Sequence, residues 1–173
     1  MSDNIRTDIP KLQGHTCFAC GTANPIGLNL EFYRLGDAVC SDVVLGKYYE
    51  GWENMAHGGI ISTLLDEVMS WTILYFRRIF FVTRKMEVKY VKPVLVGIPL
   101  RVKARLVNEK REGLIAVQAE IRDERGKVLC KAAGEFVELP AQKLSVVPDG
   151  LKRDMEELFR RFERVIGEPE GTG

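Results

Sequence analysis

The apolar residues of this chain follow two different spacings, one typical of strands and one typical of a helix. Residues 28–45 alternate apolar and polar side chains on either side of Gly36-Asp37, which predicts a β-hairpin. From His57 to about Ile79 the apolar residues recur at helical spacing and cover a wide face. Four runs with strand alternation follow, over residues 80–92, 98–108, 114–123 and 128–139.

This order of elements predicts an α+β fold. One buried helix is expected to lie against the concave side of a curved antiparallel sheet. The apolar face of the helix is too wide for a surface helix, so the sheet is expected to wrap it. The four later runs are interpreted as a meander, in which each strand pairs with the next.

Both ends of the chain are predicted to lie outside this core. Residues 1–25 are polar and contain turn-forming pairs, so they are expected to be loop. Residues 149–166 repeat apolar side chains at helical spacing, with Asp149 as the expected N-cap and Gly167 as the stop. The predicted division is 1–27 as an extension with a cysteine-containing loop, 28–140 as the main domain, and 141–173 as a helical appendage and tail.

Composition and charge exclude several classes of protein. The 173 residues are 46% hydrophobic and 28% charged, which fits one globular domain and not a disordered chain. The net charge is 25 − 24 = +1, so no field of one sign draws the chain to a nucleic acid or an anionic membrane. The most apolar stretch, residues 60–82, is interrupted by charges and predicts no membrane span. The N-terminus lacks an apolar secretion signal, so the expected location is the cytoplasm.

The start of the predicted helix carries the most specific chemical signal. Gly58 and Gly59 open the helix, where backbone N–H groups lack partners and can bind a carbonyl oxygen that becomes an oxyanion. Asp66 follows two turns later on the polar side, where a carboxylate can attack an acyl carbon or take a proton from water. The alternative is structural: a tight turn capped by His57 and a solvated aspartate. Poor helix formers around Asp66 favour a functional site.

Three motifs together resemble a known family over about residues 15–140. They are His57-Gly58-Gly59 followed by Leu65-Asp66, the run Thr83-Arg-Lys-Met-Glu-Val-Lys-Tyr90-Val-Lys-Pro93-Val, and the upstream Cys17-Phe-Ala-Cys20-Gly21. The chain resembles the hotdog-fold acyl-CoA thioesterases, in particular the phenylacetate-pathway (PaaI-like) group. The resemblance implies a long helix wrapped by an antiparallel sheet, two subunits that join their sheets, and active sites at the subunit interface.

The resemblance also implies roles for individual residues. Asp66 matches the catalytic carboxylate, and Gly58 matches the backbone donor that polarises the thioester carbonyl. Ser70 matches a hydroxyl that orients water, and His57 matches the motif histidine, whose role is positional. Asn54 departs from the usual pattern, so it either contacts the thioester or only caps its loop.

The implied ligand is an acyl-CoA, with no further cofactor. Its phosphates need cationic side chains, and Arg84 and Lys85 lie on the strand that borders the site in relatives. Gly59 and Thr83 complete the predicted substrate-binding set. The implied assembly is a homodimer or a dimer of dimers.

Three functions fit these residues to different degrees. Hydrolysis of an acyl-CoA thioester uses Gly58 and Asp66 as described. A non-catalytic acyl-CoA-binding or sensing module would use the same pocket but would need a defective catalytic position, and Asp66 is present. An enoyl-thioester hydratase would need a histidine as acid or base, and only His15 and His57 are available.

Two further features are interpreted as structural. His15, Cys17, Cys20 and Cys40 could supply four zinc ligands, but a single C-x-x-C lacks the second pair of a zinc knuckle, so the sequence predicts thiols in a turn and no metal. Glu67 lies about 100° from Asp66 around the helix, which places it away from the site.

Overall fold

A seven-stranded antiparallel sheet and one long helix dominate the computed structural model, which describes residues 5–111 and 113–167. The strands of the sheet are β1 (Arg6–Ile9), β2 (Phe32–Leu35), β3 (Ala38–Val44), β6 (Phe81–Tyr90), β7 (Pro99–Arg111), β8 (Leu114–Asp123) and β9 (Val128–Glu138). Two short strands, β4 (Glu50–Trp52) and β5 (Met55–Ala56), form a separate small hairpin. The helices are α1 (Gly58–Arg77) and α2 (Asp149–Gly167).

The strand order in the large sheet is β1-β2-β3-β7-β8-β9-β6. The predicted meander is correct for β7, β8 and β9 but wrong for β6, which pairs with β9 and not with β7. Alternation along a strand shows which side is buried, whereas the choice of neighbour depends on where the connecting segment crosses the sheet. As a result, β6 is an edge strand with one open side.

The helix α1 fills the concave side of the sheet, as predicted. Leu64, Leu65, Val68, Met69 and Ile73 have no exposed surface, and burial of each such side chain contributes about 1.5–3 kcal/mol. The C-cap of the helix is Arg78, which has a left-handed backbone (φ 51°) and donates its N–H to the carbonyl of Leu74. The α+β fold with a central helix is confirmed.

Several predicted loops contain regular structure. Within residues 1–25, Arg6–Ile9 form the outer strand β1, paired with β2 in a register that places Ile9 opposite Phe32. Only Ile9 of this strand is buried, so no apolar run marked it. The segment 46–51, also predicted as loop, contains a 3₁₀ turn at Lys47–Tyr49 and then enters β4.

The first strand of the predicted hairpin starts later than expected. It begins at Phe32 and not at Leu28, because Asn29 has a left-handed backbone (φ 45°) that interrupts an extended run. Leu28 and Leu30 instead donate backbone N–H groups to Phe18 and Ala19 of the N-terminal loop.

The C-terminal helix packs on the body of its own chain. Leu158 and Phe162 of α2 are buried, and the Phe162 ring meets Trp71 and Tyr75 of α1 edge to face at 6.1 and 5.4 Å. The predicted C-terminal helix is confirmed, although Asp149 is the first helical residue and not the N-cap. Among the described residues, no helix has the combination of length and apolar character that a membrane span requires.

A buried lysine ties the N-terminal segment to the core. The Nζ atom of Lys11 donates to the carbonyl oxygens of Leu30 (2.7 Å) and Cys20 (3.1 Å) and to Asn29 Oδ1 (3.0 Å). It also pairs with Glu31 at 2.9 Å.

We expect Lys11→Met to keep the side-chain volume and to leave these acceptors without their donor. An unsatisfied buried polar group costs about 1–3 kcal/mol, so the free energy of unfolding in urea should fall by about 2–3 kcal/mol. Lys47→Met, at an exposed position, is the matched control and should change it by less than about 0.5 kcal/mol. Equal effects of the two substitutions would contradict the role assigned to Lys11.

Candidate active site

The N-terminus of α1 has one occupied and one free backbone donor. His57 is the N-cap, and its Nδ1 atom accepts a hydrogen bond from the Gly59 N–H at 3.0 Å. His57 therefore caps the helix, as the structural alternative proposed, and the Gly59 N–H is not available to a substrate. The Gly58 N–H has no hydrogen-bond acceptor among the described residues, so it is the donor that can bind an added oxygen.

A pocket of about 600 Å³ opens beside this helix start. Its lining includes Trp52, Met55, His57, Gly58, Tyr90 and Val94. A Cβ atom at Gly58 would lie 3.4 Å from the Tyr90 hydroxyl oxygen, an ordinary contact distance that nevertheless places the added methyl in the pocket. The glycine therefore keeps the approach to the free N–H open.

Tyr90 is a residue of this pocket to which sequence reasoning assigned no role. Its hydroxyl donates to the Gly58 carbonyl oxygen at 3.0 Å and lies 3.0 Å from Ser62 Oγ. Ser62 Oγ also donates to the Gly58 carbonyl at 3.0 Å. Two hydroxyls thus hold the peptide of Gly58 in place, and only the position of Tyr90 within the quoted strand motif could have indicated it.

Asp66 faces the edge strand and not open solvent. Its Oδ1 atom accepts a hydrogen bond from the Thr83 hydroxyl of β6 at 3.1 Å. Burial raises the pKa of Asp66, an effect that the hydrogen bond from Thr83 partly opposes. A half-buried carboxylate of raised pKa is a stronger base than a solvated one, which disfavours the reading of Asp66 as a surface residue.

The other predicted catalytic residues lie apart from this pair. Ser70 is half-buried one turn after Asp66, and no hydrogen bond joins the two side chains in the part of the chain described. Asn54 lies in the turn between β4 and β5, where its positive φ of 63° suits asparagine. Its N–H donates to Glu50 Oε2 at 3.1 Å, and its carbonyl oxygen accepts from the Val96 N–H. Both hydrogen bonds give Asn54 a structural role in the turn.

The predicted phosphate-binding residues lie on the surface of β6. Arg84 is 4.0 Å from Glu135 and Lys85 is 2.9 Å from Glu87. Both side chains are more than half exposed, so water screens each ion pair and an anionic ligand can replace its carboxylate. The strand register shifts between Thr83 and Lys85, a bulge of the kind found beside active sites.

The four residues that the sequence analysis considered as zinc ligands do not come together. His15 lies 3.7 Å from Asp154, and Cys40 is buried in β3. Cys17 and Cys20 do come together, but the third group beside them is Glu67, which sequence reasoning interpreted as structural. Nothing in a C-x-x-C loop signals which residue of a distant helix will face it.

Comparison with known proteins finds similarity to thioesterases. Residues 53–130 match the family model of the thioesterase superfamily. Verlamelin biosynthesis protein B of a Lecanicillium species is 29% identical over 141 residues, which cover 65% of this chain and 57% of that protein.

Two solved structures share the fold. A thioesterase superfamily protein is 25% identical with a TM-score of 0.63, covering 66% of this chain and 56% of that one. A hypothetical thioesterase protein with coenzyme A from Streptococcus pneumoniae TIGR4 is 22% identical with a TM-score of 0.54, covering 59% of this chain and 81% of that one. The chain spans little more than half the length of the first two of these relatives. The fold is therefore the hotdog fold of the thioesterases.

Proposed function

We propose that this protein hydrolyses an acyl-CoA thioester to the free acid and CoA. The observation that carries the proposal is the pairing, on one helix, of a free N-terminal N–H at Gly58 with the half-buried carboxylate of Asp66. The match of residues 53–130 to the thioesterase superfamily supports it, and so does the coenzyme A of the S. pneumoniae relative.

The chemistry needs an electrophilic contact and a base or nucleophile. The Gly58 N–H, at the positive end of the helix dipole, stabilises the negative charge that develops on the thioester oxygen. Asp66 either takes a proton from the attacking water or attacks the acyl carbon itself, and the thiolate of CoA leaves in both cases. In the first route Ser70 orients the water, as the family resemblance implies.

The spacing of these two groups supports a site that is shared between two subunits. Gly58 and Asp66 are eight residues apart, which is roughly 12 Å along a helix, too far for both to reach one carbonyl. The open side of β6, next to Thr83 and Asp66, offers an edge at which a second copy can extend the sheet. We therefore propose a homodimer in which Gly58 of one subunit and Asp66 of the other share each site; a dimer of dimers remains compatible with this arrangement.

The structure gives the alternative functions less support. A hydratase would use His57 as acid or base, but His57 Nδ1 is occupied as the helix cap, and His15 lies beside Asp154. A non-catalytic binding module would use the same pocket as the enzyme, so the two differ only in whether the bound acyl-CoA is hydrolysed. The narrower PaaI-like assignment and the cytoplasmic location are part of this proposal.

A panel of acyl-CoA esters, with release of the CoA thiol followed over time, tests the proposal. We expect turnover of at least one ester by the purified chain. Tight binding of an ester without thiol release would favour the binding module in place of the enzyme.

Thr83 is expected to act as a positioning residue for Asp66. Thr83→Val removes the hydrogen bond to the carboxylate at nearly constant volume, and a bond worth about 1 kcal/mol corresponds to roughly a fivefold loss of kcat. Thr83→Ser keeps the hydroxyl and should restore kcat, with KM little changed in both variants. Equal activity of the Val and Ser variants would show that the hydroxyl plays no part.

A further inference from the structure

A tight turn at residues 17–21 holds two cysteine side chains next to each other. The Gly21 N–H donates to the Cys17 carbonyl oxygen at 2.9 Å. A Cβ atom at Gly21 would lie 2.5 Å from backbone atoms of Cys17 and His15, so only glycine fits there. The turn therefore has the tightness that allows the sulfur atoms of Cys17 and Cys20 to face the same ligand.

A carboxylate from α1 completes the cluster. One oxygen of Glu67 and the sulfur atoms of Cys17 and Cys20 all lie within 4.8 Å of one another. Glu67 Oε1 accepts a hydrogen bond from Trp71 Nε1 at 3.0 Å, and the Trp71 ring is stacked on Phe32 at 4.2 Å. Such an outer partner orients a metal-binding carboxylate.

Each of the three groups can bind a metal once its proton is displaced, because metal binding releases protons from thiols and carboxyls.

We propose that Cys17, Cys20 and Glu67 form a zinc site, with two thiolates and one carboxylate oxygen as ligands. Two sulfur ligands favour zinc over magnesium or calcium, which prefer oxygen alone. Cys17 is exposed, so a water molecule completes the tetrahedron from the solvent side. The ion joins the N-terminal loop to α1 at the residue that follows Asp66, and its role is to hold these two segments together.

The test uses the full chain, with both thiols kept reduced by a phosphine, stripped with a chelator and titrated with Zn²⁺ or Co²⁺. We expect about one zinc ion per chain, a higher melting temperature after zinc is restored, and, with cobalt, thiolate charge-transfer bands together with strong visible bands of a tetrahedral ion. No zinc uptake and no cobalt bands by a chain with reduced thiols would overturn the proposal.

Substitutions then assign the ligands. Cys17→Ser, Cys20→Ser and Glu67→Gln should each weaken zinc binding at least about tenfold, whereas Glu124→Gln, an exposed carboxylate between β8 and β9, should bind as the parent does. Zinc affinity unchanged by Glu67→Gln would overturn the carboxylate ligand, and affinity unchanged by both serine variants would overturn the site. The cobalt spectrum of the unsubstituted chain decides the matter if a variant fails to fold.

Discussion

Asp66→Asn should lower kcat for acyl-CoA hydrolysis by about 10²–10⁴-fold, the usual contribution of a positioned base. The amide keeps the shape of the side chain and can still accept the hydrogen bond from Thr83, but it has neither the negative charge nor the basicity. Initial rates of thiol release at saturating substrate measure the effect.

The same substitution should leave the fold intact. Burial raises the pKa of Asp66 in the folded state. Ionisation of this carboxyl therefore destabilises the folded state once the pH rises above the ordinary pKa of an aspartate. A neutral amide avoids that cost, so the free energy of unfolding at neutral pH should be unchanged or higher. Asp154→Asn, a half-buried helical aspartate on α2, is the matched control for activity. Full activity of Asp66→Asn would show that another group acts as base or nucleophile.

Gly58→Pro should lower kcat by about 10²–10³-fold, the cost of removing one donor to the oxyanion. Gly58 is the first residue of α1, the position where proline is best tolerated because its missing N–H would have no partner in the helix. The extended backbone of His57 (ψ 136°) also suits a residue before proline. The substitution therefore removes the proposed donor without breaking the helix.

Gly58→Ala is the matched control, because it adds the same Cβ atom and keeps the N–H. It should reduce kcat by less than the proline variant, since the added methyl only crowds the pocket near Tyr90. Equal losses in the two variants would mean that space, and not the hydrogen bond, limits the reaction.

The fold could be predicted from the chain because its largest signals are local. The wide apolar face of α1 and the alternation of β7, β8 and β9 appear in the sequence as periodic patterns. The position of β6 could not be predicted in this way, because an edge strand and a central strand can show the same alternation. The polar strand β1 has one buried residue, Ile9, and gave no pattern at all.

Part of the candidate site could likewise be predicted from the sequence, and part could not. Gly58, His57 and Asp66 lie close together in the chain, and the cap made by His57 follows from the local backbone. The contacts of Asp66 with Thr83 and of Gly58 with Tyr90 join residues 17 and 32 positions apart. Pairings of this length depend on sheet order, which no local spacing encodes.

The most direct test of the proposed enzyme is complementation between two inactive variants. Asp66→Asn and Gly58→Pro chains, carrying different affinity tags and co-expressed, can be purified as a mixed dimer in which one of the two sites has an intact Gly58 and an intact Asp66. If the two subunits share each site, this dimer should hydrolyse acyl-CoA at about half the rate of the unsubstituted dimer, while each parent variant stays nearly inactive. A mixed dimer no more active than its parents would contradict a site built from Gly58 of one subunit and Asp66 of the other.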